Sequence, residues 1–194
     1  MVDLIGRMVP RCCEVLKELP FFFTQSNNVL FNHRFNLEYN LFTIVLTRQT
    51  FPDRPLEAFS EDRLCYKDTE IEVSGSLAKI RLPDLMVLSE ELAVILGDGR
   101  GTITREMPPP ELIIEVASPG KSNEERDYRY KRSEYAARGV FEYWVINPTD
   151  SNISIFSLEA GFYESAVYIR QMVIQSRFEA LRLTADQVLK RGRL

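Results

Sequence analysis

The sequence predicts an α/β fold in which a mixed central β-sheet lies between helices. Residues 111–146 have the pattern of a buried strand, a helix and a second buried strand, and such a unit implies a right-handed crossover between parallel strands. Two further strand-like runs, 152–158 and 162–170, flank the turn Glu159-Ala160-Gly161 and predict a hairpin. Parallel and antiparallel pairs would therefore occur in one sheet.

Length and composition indicate one domain. The chain has 194 residues and enough apolar content for a substantial core, so we expect a single domain over 1–194. Its core would span about 28–158, with extensions at 1–24 and 171–194 packed on it. No run of 18 apolar residues occurs, which argues against a membrane span.

The cysteine and histidine content bounds the chemistry. Three cysteines without ligand-like spacing indicate reduced thiols in a cytoplasmic protein. His33 is the only histidine, which excludes a histidine-rich zinc site. The net charge of −4 gives no general attraction to nucleic acid, although residues 119–139 carry a local excess of two positive charges.

The elements before residue 106 follow from local pattern. Apolar residues at helical spacing predict a long helix over 28–47, and two prolines mark 50–59 as a connector. The glycine-rich segment 97–101 lacks the strand and helix of a phosphate-binding loop, so we interpret it as a flexible turn. Strand-like runs occupy 61–66, 70–74 and 79–88.

The elements after residue 110 have clear boundaries. Ser122 or Asn123 can cap a helix that ends near Gly139, a residue suited to a left-handed C-terminal position. The next strand, 141–146, places Tyr143 and Trp144 in the core, with Glu142 at an edge or in solvent. A last short helix begins at Thr184.

Two acidic residues interrupt the apolar strands. Asp84 follows Pro83 in one strand-like run, and Glu115 lies within the apolar run 112–117. A carboxylate in such a position needs a partner, because burial of an isolated charge is costly. A divalent cation is a suitable partner for two converging carboxylates, since Mg²⁺ prefers oxygen ligands. Strand alternation places Ile113, Glu115 and Ala117 on one face.

These residues belong to an ordered set of motifs. They read Pro83-Asp84, Glu115-Val-Ala-Ser-Pro119, Asp127-Tyr-Arg-Tyr-Lys131-Arg-Ser-Glu-Tyr135 and Gly139-Val-Phe-Glu-Tyr-Trp144. The set resembles the Uma-type restriction endonuclease family, long classified as a domain of unknown function, within the PD-(D/E)xK superfamily. The resemblance is strong over about 80–158 and implies a restriction-endonuclease-like core.

The resemblance implies roles for particular residues. Asp84 and Glu115 would hold Mg²⁺ or Mn²⁺, with the main-chain carbonyl of Val116 as a further ligand. The superfamily's usual lysine would fall at Ala117, which cannot replace it, so the catalytic lysine would be Lys131 on the following helix. The bound ion would lower the pKa of a water that attacks the scissile phosphate. Lys131 would orient that water or stabilise the transition state.

Helical spacing is compatible with this role for the lysine. Tyr128, Lys131 and Tyr135 share one helix face, and the two tyrosines favour packing of that face against the sheet. The alternative is a solvent-exposed Lys131 that pairs with Asp127 four residues earlier.

Five further residues are secondary site candidates. Asp127 would position Lys131 or simply start the helix, and the Tyr135 hydroxyl would hold that lysine or serve only in packing. Ser118 would contact a substrate phosphate or cap the strand. Related folds often take a ligand from the first long helix, where Glu38 is the candidate; His33, in the same helix, is a site residue or a partly exposed histidine.

The resemblance favours a metal-dependent endonuclease that acts on nucleic acid, with DNA preferred, as a homodimer without membrane contact.

Two other classes of function remain open. One is a catalytically silent module whose acidic pair is kept by a salt bridge to Lys131. The other is a metal-dependent hydrolase of a small phosphorylated molecule, which the negative net charge favours.

Overall fold

A computed structural model describes residues 59–97, 101–120, 123 and 125–190. The helix predicted over 28–47, with Glu38 and His33, lies outside these ranges. Among the described helices none combines the length and apolar character needed to cross a membrane.

The main sheet has six strands in the order β1-β4-β6-β7-β8-β9. Its strands are β1 (Leu64–Cys65), β4 (Leu85–Val87), β6 (Leu112–Val116), β7 (Glu142–Asn147), β8 (Asn152–Glu159) and β9 (Phe162–Ile169). Only β6 and β7 pair in parallel, and the other neighbours are antiparallel. The sheet is therefore mixed, and the predicted α/β fold is confirmed.

A second sheet of three strands has the order β3-β2-β5. Its strands are β2 (Glu70–Glu72), β3 (Ile80–Arg81) and β5 (Thr102–Ile103). The single strand predicted over 79–88 is wrong, because this run forms β3 in the small sheet and β4 in the main sheet. Pro83, which lacks an N–H, lies where the chain passes between the two sheets.

Three α-helices complete the described fold. Helix α1 (Glu90–Leu96), absent from our sequence predictions, is capped by the Ser89 hydroxyl, which accepts from the Leu92 N–H. A π-helical segment, Arg126–Lys131, continues into α2 (Arg132–Arg138), which ends at Gly139 with a left-handed φ of 86°. Helix α3 (Ala185–Lys190) lies where the sequence predicts a short helix.

Alternation along β6 and β7 divides the core between the two faces of the main sheet. Ile113, Ala117, Tyr143 and Val145 pack with Tyr135 on what we call the α2 face. The opposite face, called here the C-terminal face, is covered by the segment 171–190. Its residues include Leu112, Ile114, Val116, Trp144, Ile146, Leu181, Leu183 and Val188. Glu115 alternates with Ile114 and Val116, so its side chain belongs to the α2 face.

Candidate active site

The Asp84 carboxylate contacts a main-chain amide of β6 and a lysine. The residue is 7% exposed and lies immediately before β4. Oδ2 accepts a hydrogen bond of 2.8 Å from the Val116 N–H, at the end of β6. Oδ1 lies 3.3 Å from the Lys67 ammonium group. The two contacts fix the orientation of the Asp84 carboxylate and connect it to the strand that carries Glu115.

Glu115 lies near the centre of the site. Its side chain is almost fully buried, and Oε1 accepts from the Tyr135 hydroxyl at 2.9 Å and lies 2.9 Å from Lys131 Nζ. Burial disfavours the charged form and raises the pKa of Glu115 to about 7. The nearby Asp84 charge raises this pKa further, whereas the Lys131 charge opposes the rise. Glu115 therefore titrates close to neutral pH.

Lys131 bridges two carboxylates. Its ammonium lies 3.0 Å from Asp127 Oδ1 as well as 2.9 Å from Glu115, and the residue is only 9% exposed. The inward orientation predicted from the tyrosine spacing is therefore confirmed, and the alternative of a solvent-exposed lysine is wrong, although its pairing with Asp127 occurs. Asp127 Oδ1 also accepts from Arg126 Nε at 3.2 Å. The half-exposed Arg126 thus adds positive charge beside the buried side chains of Glu115, Asp127 and Lys131.

The π-helical segment presents Asp127 and Lys131 together to the sheet. Both side chains are buried, and the Tyr143 hydroxyl, from β7, donates to the Asp127 main-chain carbonyl at 3.1 Å. π-Helical turns are uncommon and occur frequently at functional sites. This segment is therefore consistent with a site in which helix geometry sets the position of the lysine.

The hydrogen-bond partner of Tyr135, on α2, differs from the one that the sequence predicts. The Tyr135 hydroxyl donates to Glu115 and not to Lys131. Burial raises the pKa of Tyr135 well above its usual value, and the nearby Glu115 charge adds to this effect. The hydroxyl consequently remains a hydrogen-bond donor throughout the neutral pH range. Tyr135 and Lys131 thus converge on the same oxygen atom.

The remaining predicted residues have simpler positions. The Val116 N–H donates to Asp84, and the role of the Val116 carbonyl as a metal ligand stays a prediction. Ser118 is half-buried just beyond the end of β6. The structure therefore brings together Asp84, Glu115, Val116, Asp127, Lys131 and Tyr135.

Sequence reasoning missed Lys67, the cation that contacts Asp84. Its φ is 50°, a left-handed conformation that side chains other than glycine adopt rarely, and its side chain is 37% exposed. Residues held in such conformations cluster at functional sites. No local pattern identifies Lys67, because its partner Asp84 is distant in sequence and the contact exists only after folding.

Glu142 is a second correction. It was predicted at an edge or in solvent, but it is 1% exposed on the C-terminal face. Oε1 accepts from Trp144 Nε1 and the Ser176 hydroxyl, and Oε2 accepts from the Arg177 N–H. The segment that supplies two of these donors lies more than 30 residues away in sequence. Tyr143 and Trp144, in contrast, lie in the core as predicted.

The sequence model described as "Putative restriction endonuclease", Uma2, matches residues 47–186. The chain belongs to the Uma2 family. A crystal structure titled as a putative nuclease belonging to DUF820, from Anabaena variabilis, superimposes with a TM-score of 0.57. It shares 12% sequence identity, and the alignment covers 82% of each chain, so this likeness establishes the fold alone. No curated protein gives a significant match.

Family membership supports a nuclease-like function for this Uma2 chain, acting on nucleic acid. The donor set agrees in kind with a hard divalent cation, because Asp84 and Glu115 offer carboxylate oxygens from neighbouring strands. Mutual repulsion between these buried carboxylates, which contributes to the raised pKa of Glu115, is what a cation would relieve. Within the described ranges, however, no cluster of three or more acidic, histidine or cysteine side chains could hold a metal ion.

Proposed function

We propose that this Uma2 protein is a metal-dependent endonuclease that hydrolyses phosphodiester bonds of DNA. One observation carries the proposal: the buried Lys131 ammonium bridges Glu115 and Asp127, and Asp84 lies on the neighbouring strand segment. Two carboxylates and a lysine beside them are the groups that phosphodiester hydrolysis with a divalent cation requires.

Asp84 and Glu115 would hold Mg²⁺ or Mn²⁺, and Val116 would add a main-chain oxygen. The bound ion would supply charge stabilisation and a water of lowered pKa. In the reaction, the oxygen of water forms a bond to phosphorus, and the bond from phosphorus to the leaving ester oxygen breaks. One proton of the water is lost, and the leaving oxygen gains a proton.

Lys131 has two tasks in this mechanism. Its ammonium group orients the attacking water and stabilises the negative charge that develops on the phosphate oxygens. Asp127 contacts that ammonium at 3.0 Å and so keeps the lysine directed at the sheet. Tyr135 keeps Glu115 Oε1 in place through a hydroxyl that does not ionise near neutral pH.

The decisive experiment is cleavage of supercoiled and linear DNA with Mg²⁺ or Mn²⁺, with EDTA as a control. We expect metal-dependent nicking that disappears in Glu115→Ala and in Lys131→Met. Glu164→Ala, which removes an exposed glutamate on β9, is the matched control and should cleave like the wild type. A parallel panel of RNA and small phosphorylated molecules tests the substrate class.

A catalytically silent binding module is the second candidate, and the ion pairs favour it. Lys131 already contacts two carboxylates, and Lys67 contacts Asp84, so these acids have cationic partners within the chain. A folded wild-type protein that neither cleaves DNA nor binds Mn²⁺ in a calorimeter would establish this candidate in place of the nuclease.

We further propose that the enzyme acts as a homodimer in the cytoplasm. A duplex has two strands to cut, and two subunits would supply two sites. Burial raises the pKa of Cys65 to about 11, which suits a thiol that remains reduced. Sedimentation at micromolar concentration tests the dimer, and a monomeric species with full cleavage activity would contradict it.

A further inference from the structure

A groove of about 620 Å³ lies outside the carboxylate cluster, between the helix and the β8–β9 hairpin. One wall is the π-helical segment with α2, and the other is the start of β9. Its lining includes Tyr128, Arg129, Arg132, Ser133, Gly161 and Phe162. We call it the hairpin groove. It follows the same helix that carries Asp127 and Lys131, but these two side chains are buried beneath the helix.

The hairpin groove is positively charged. Two arginines line it, and none of its described lining residues is acidic, although the whole chain has a net charge of −4. Arg129 has a loose ion pair with Glu125 at 3.7 Å, and both side chains are largely exposed. Such a pair contributes little energy, so the guanidinium can exchange partners readily.

The second arginine is held in place. Arg132 donates from Nη2 to the Tyr163 main-chain carbonyl at 3.2 Å, and its guanidinium lies over the Phe156 ring at 5.1 Å. One guanidinium is thus fixed by the sheet and the other is adjustable. Planar guanidinium groups suit phosphate oxygens, which they can bind with two hydrogen bonds.

Aromatic rings line the groove beside these cations. Phe162 is 79% exposed, directly after a tight turn in which Ala160 and Gly161 both have positive φ. The turn places the ring at the groove margin instead of in the core. Tyr128 is half-buried in the helix wall, and its ring makes an angle of 71° with the Phe156 ring. An exposed phenylalanine next to arginines is a combination that binds unpaired bases, because bases stack on aromatic faces while cations hold the backbone.

We propose that the hairpin groove binds a single-stranded segment of nucleic acid next to the site of cleavage. This proposal rests on the proposed function, and it specifies which part of the substrate the protein binds outside the carboxylate cluster. Charge complementarity selects a polyanion, and the aromatic rings select one with exposed bases. In an intact duplex the base faces are already stacked on each other, so Phe162 would find no partner there.

The inference predicts that this Uma2 protein prefers nucleic acids with an unpaired region. Substrates with a flap, bubble or single-stranded overhang would bind more tightly than a blunt duplex. Binding through the groove does not require a divalent cation, because the contributing residues are separate from Asp84 and Glu115.

The test is fluorescence anisotropy of a labelled single-stranded oligonucleotide in EDTA. Phe162→Ala should weaken binding roughly 5- to 150-fold, the range of one lost base stack. Arg129→Gln should reduce the slope of log affinity against log salt by about 0.7, as expected for one lost phosphate contact. Binding of a blunt duplex should change much less with Phe162→Ala than binding of the single strand.

Matched controls exist elsewhere on the surface. Val94→Ala removes an 83% exposed apolar side chain on α1, and Arg182→Gln removes an arginine with an ion pair to Glu179 three residues earlier. Both should bind the oligonucleotide like the wild type. Melting temperatures should stay unchanged in Phe162→Ala, because the ring is mostly in solvent.

Each outcome separates the groove from the nuclease. If Phe162→Ala binds single strands as tightly as Val94→Ala does, the proposed binding in the groove is refuted, even if the wild type cleaves DNA. A wild-type protein without oligonucleotide binding would also overturn it. Loss of binding in Phe162→Ala without any cleavage by the wild type would refute the nuclease and retain the groove. A change in sedimentation with unchanged oligonucleotide affinity would assign Phe162 to a protein contact and refute the inference.

Discussion

Two glutamates lie buried in adjacent strands of the main sheet, Glu115 in β6 and Glu142 in β7, and they face opposite sides. Both are almost inaccessible to solvent. Glu142 accepts hydrogen bonds only from neutral donors in the contacts described above, namely an indole, a hydroxyl and a main-chain amide. Glu115 contacts a lysine and a tyrosine, and Asp84 lies near enough to raise its pKa.

The difference shows that burial of an acid does not by itself indicate chemistry. The donors to Glu142 connect β7 to residues 176–177, so that carboxylate holds the C-terminal segment on the sheet. The partners of Glu115 are ionisable groups on a helix. Their charges can be redistributed when a ligand enters, whereas the neutral donors of Glu142 offer no such exchange. Glu142 is suited to a structural role, and Glu115 is the glutamate that we propose for catalysis.

The largest expected change in stability comes from replacing Glu142, and it tests whether this glutamate has a structural role. Glu142→Ala leaves Trp144 Nε1, the Ser176 hydroxyl and the Arg177 N–H without their acceptor. We expect the free energy of unfolding to fall by about 3 to 5 kcal/mol, since each buried unpaired donor is costly. Urea denaturation measures this loss. Glu164→Ala, at an exposed position on β9, is the control, and a loss below about 1 kcal/mol would contradict a structural role.

The next prediction concerns stabilisation by metal. Mn²⁺ at 100 times its dissociation constant should raise the free energy of unfolding of the wild type by about 2.7 kcal/mol. Glu115→Gln lacks one of the two carboxylates that we propose as metal ligands, so most of this increment should disappear, whereas Glu142→Gln should retain it. Thermal denaturation with Mn²⁺ and with EDTA gives the increments. Equal increments in the two variants would contradict the distinction between Glu115 and Glu142.

The pH dependence of stability offers a third test. The folded-state pKa of Glu115 is raised from 4.5 to about 7, so the folded state binds the proton more tightly than the unfolded state. The resulting stabilisation is fully present below pH 4.5 and is lost as the pH rises through about 7. In EDTA, the wild type should therefore lose about 2 kcal/mol relative to Glu115→Gln between pH 5 and pH 8.

Denaturation curves of the two proteins at several pH values measure this difference. The same comparison with Glu164→Gln should give a difference that does not vary with pH. A constant difference for Glu115→Gln would show that burial does not perturb this carboxyl group.

The smallest expected stability change comes from Lys67→Gly. The left-handed backbone at Lys67 costs on the order of 1 kcal/mol for a side chain, and glycine removes that strain. The pair of the half-exposed Lys67 with Asp84 contributes up to about 1 kcal/mol, so the two changes should nearly cancel in the free energy of unfolding. Nuclease activity should nevertheless fall, because Asp84 loses the cation that orients Oδ1.

Ser151→Gly is the matched control for this prediction. Ser151 has a similar φ of 54° but lies in the turn before β8. It should gain stability without a change in activity, as measured by denaturation and DNA nicking. Full activity in Lys67→Gly would assign Lys67 to the surface instead of the site.

Local pattern was sufficient for the parts of the fold whose contacts are close in sequence. The strand, helix and strand over 111–146 and the hairpin after it occur as predicted, because alternation, the Gly139 cap and turn residues specify them locally. The inward orientation of Lys131 followed from its spacing to two tyrosines. The run 79–88 was misassigned because its apolar pattern suits either sheet, and pairing partners decide which strand forms.

Sequence by itself determined the family, the α/β class and the motif residues Asp84, Glu115 and Lys131. These depend on residue order and short-range geometry. Tertiary structure alone decided the partners: Lys67 beside Asp84, Tyr135 on Glu115 instead of Lys131, and the enclosure of Glu142 by residues 176–177. The physical reason is that these buried groups take partners that the folded chain brings within a few ångströms from distant positions, and no periodicity along the sequence encodes such long-range pairs.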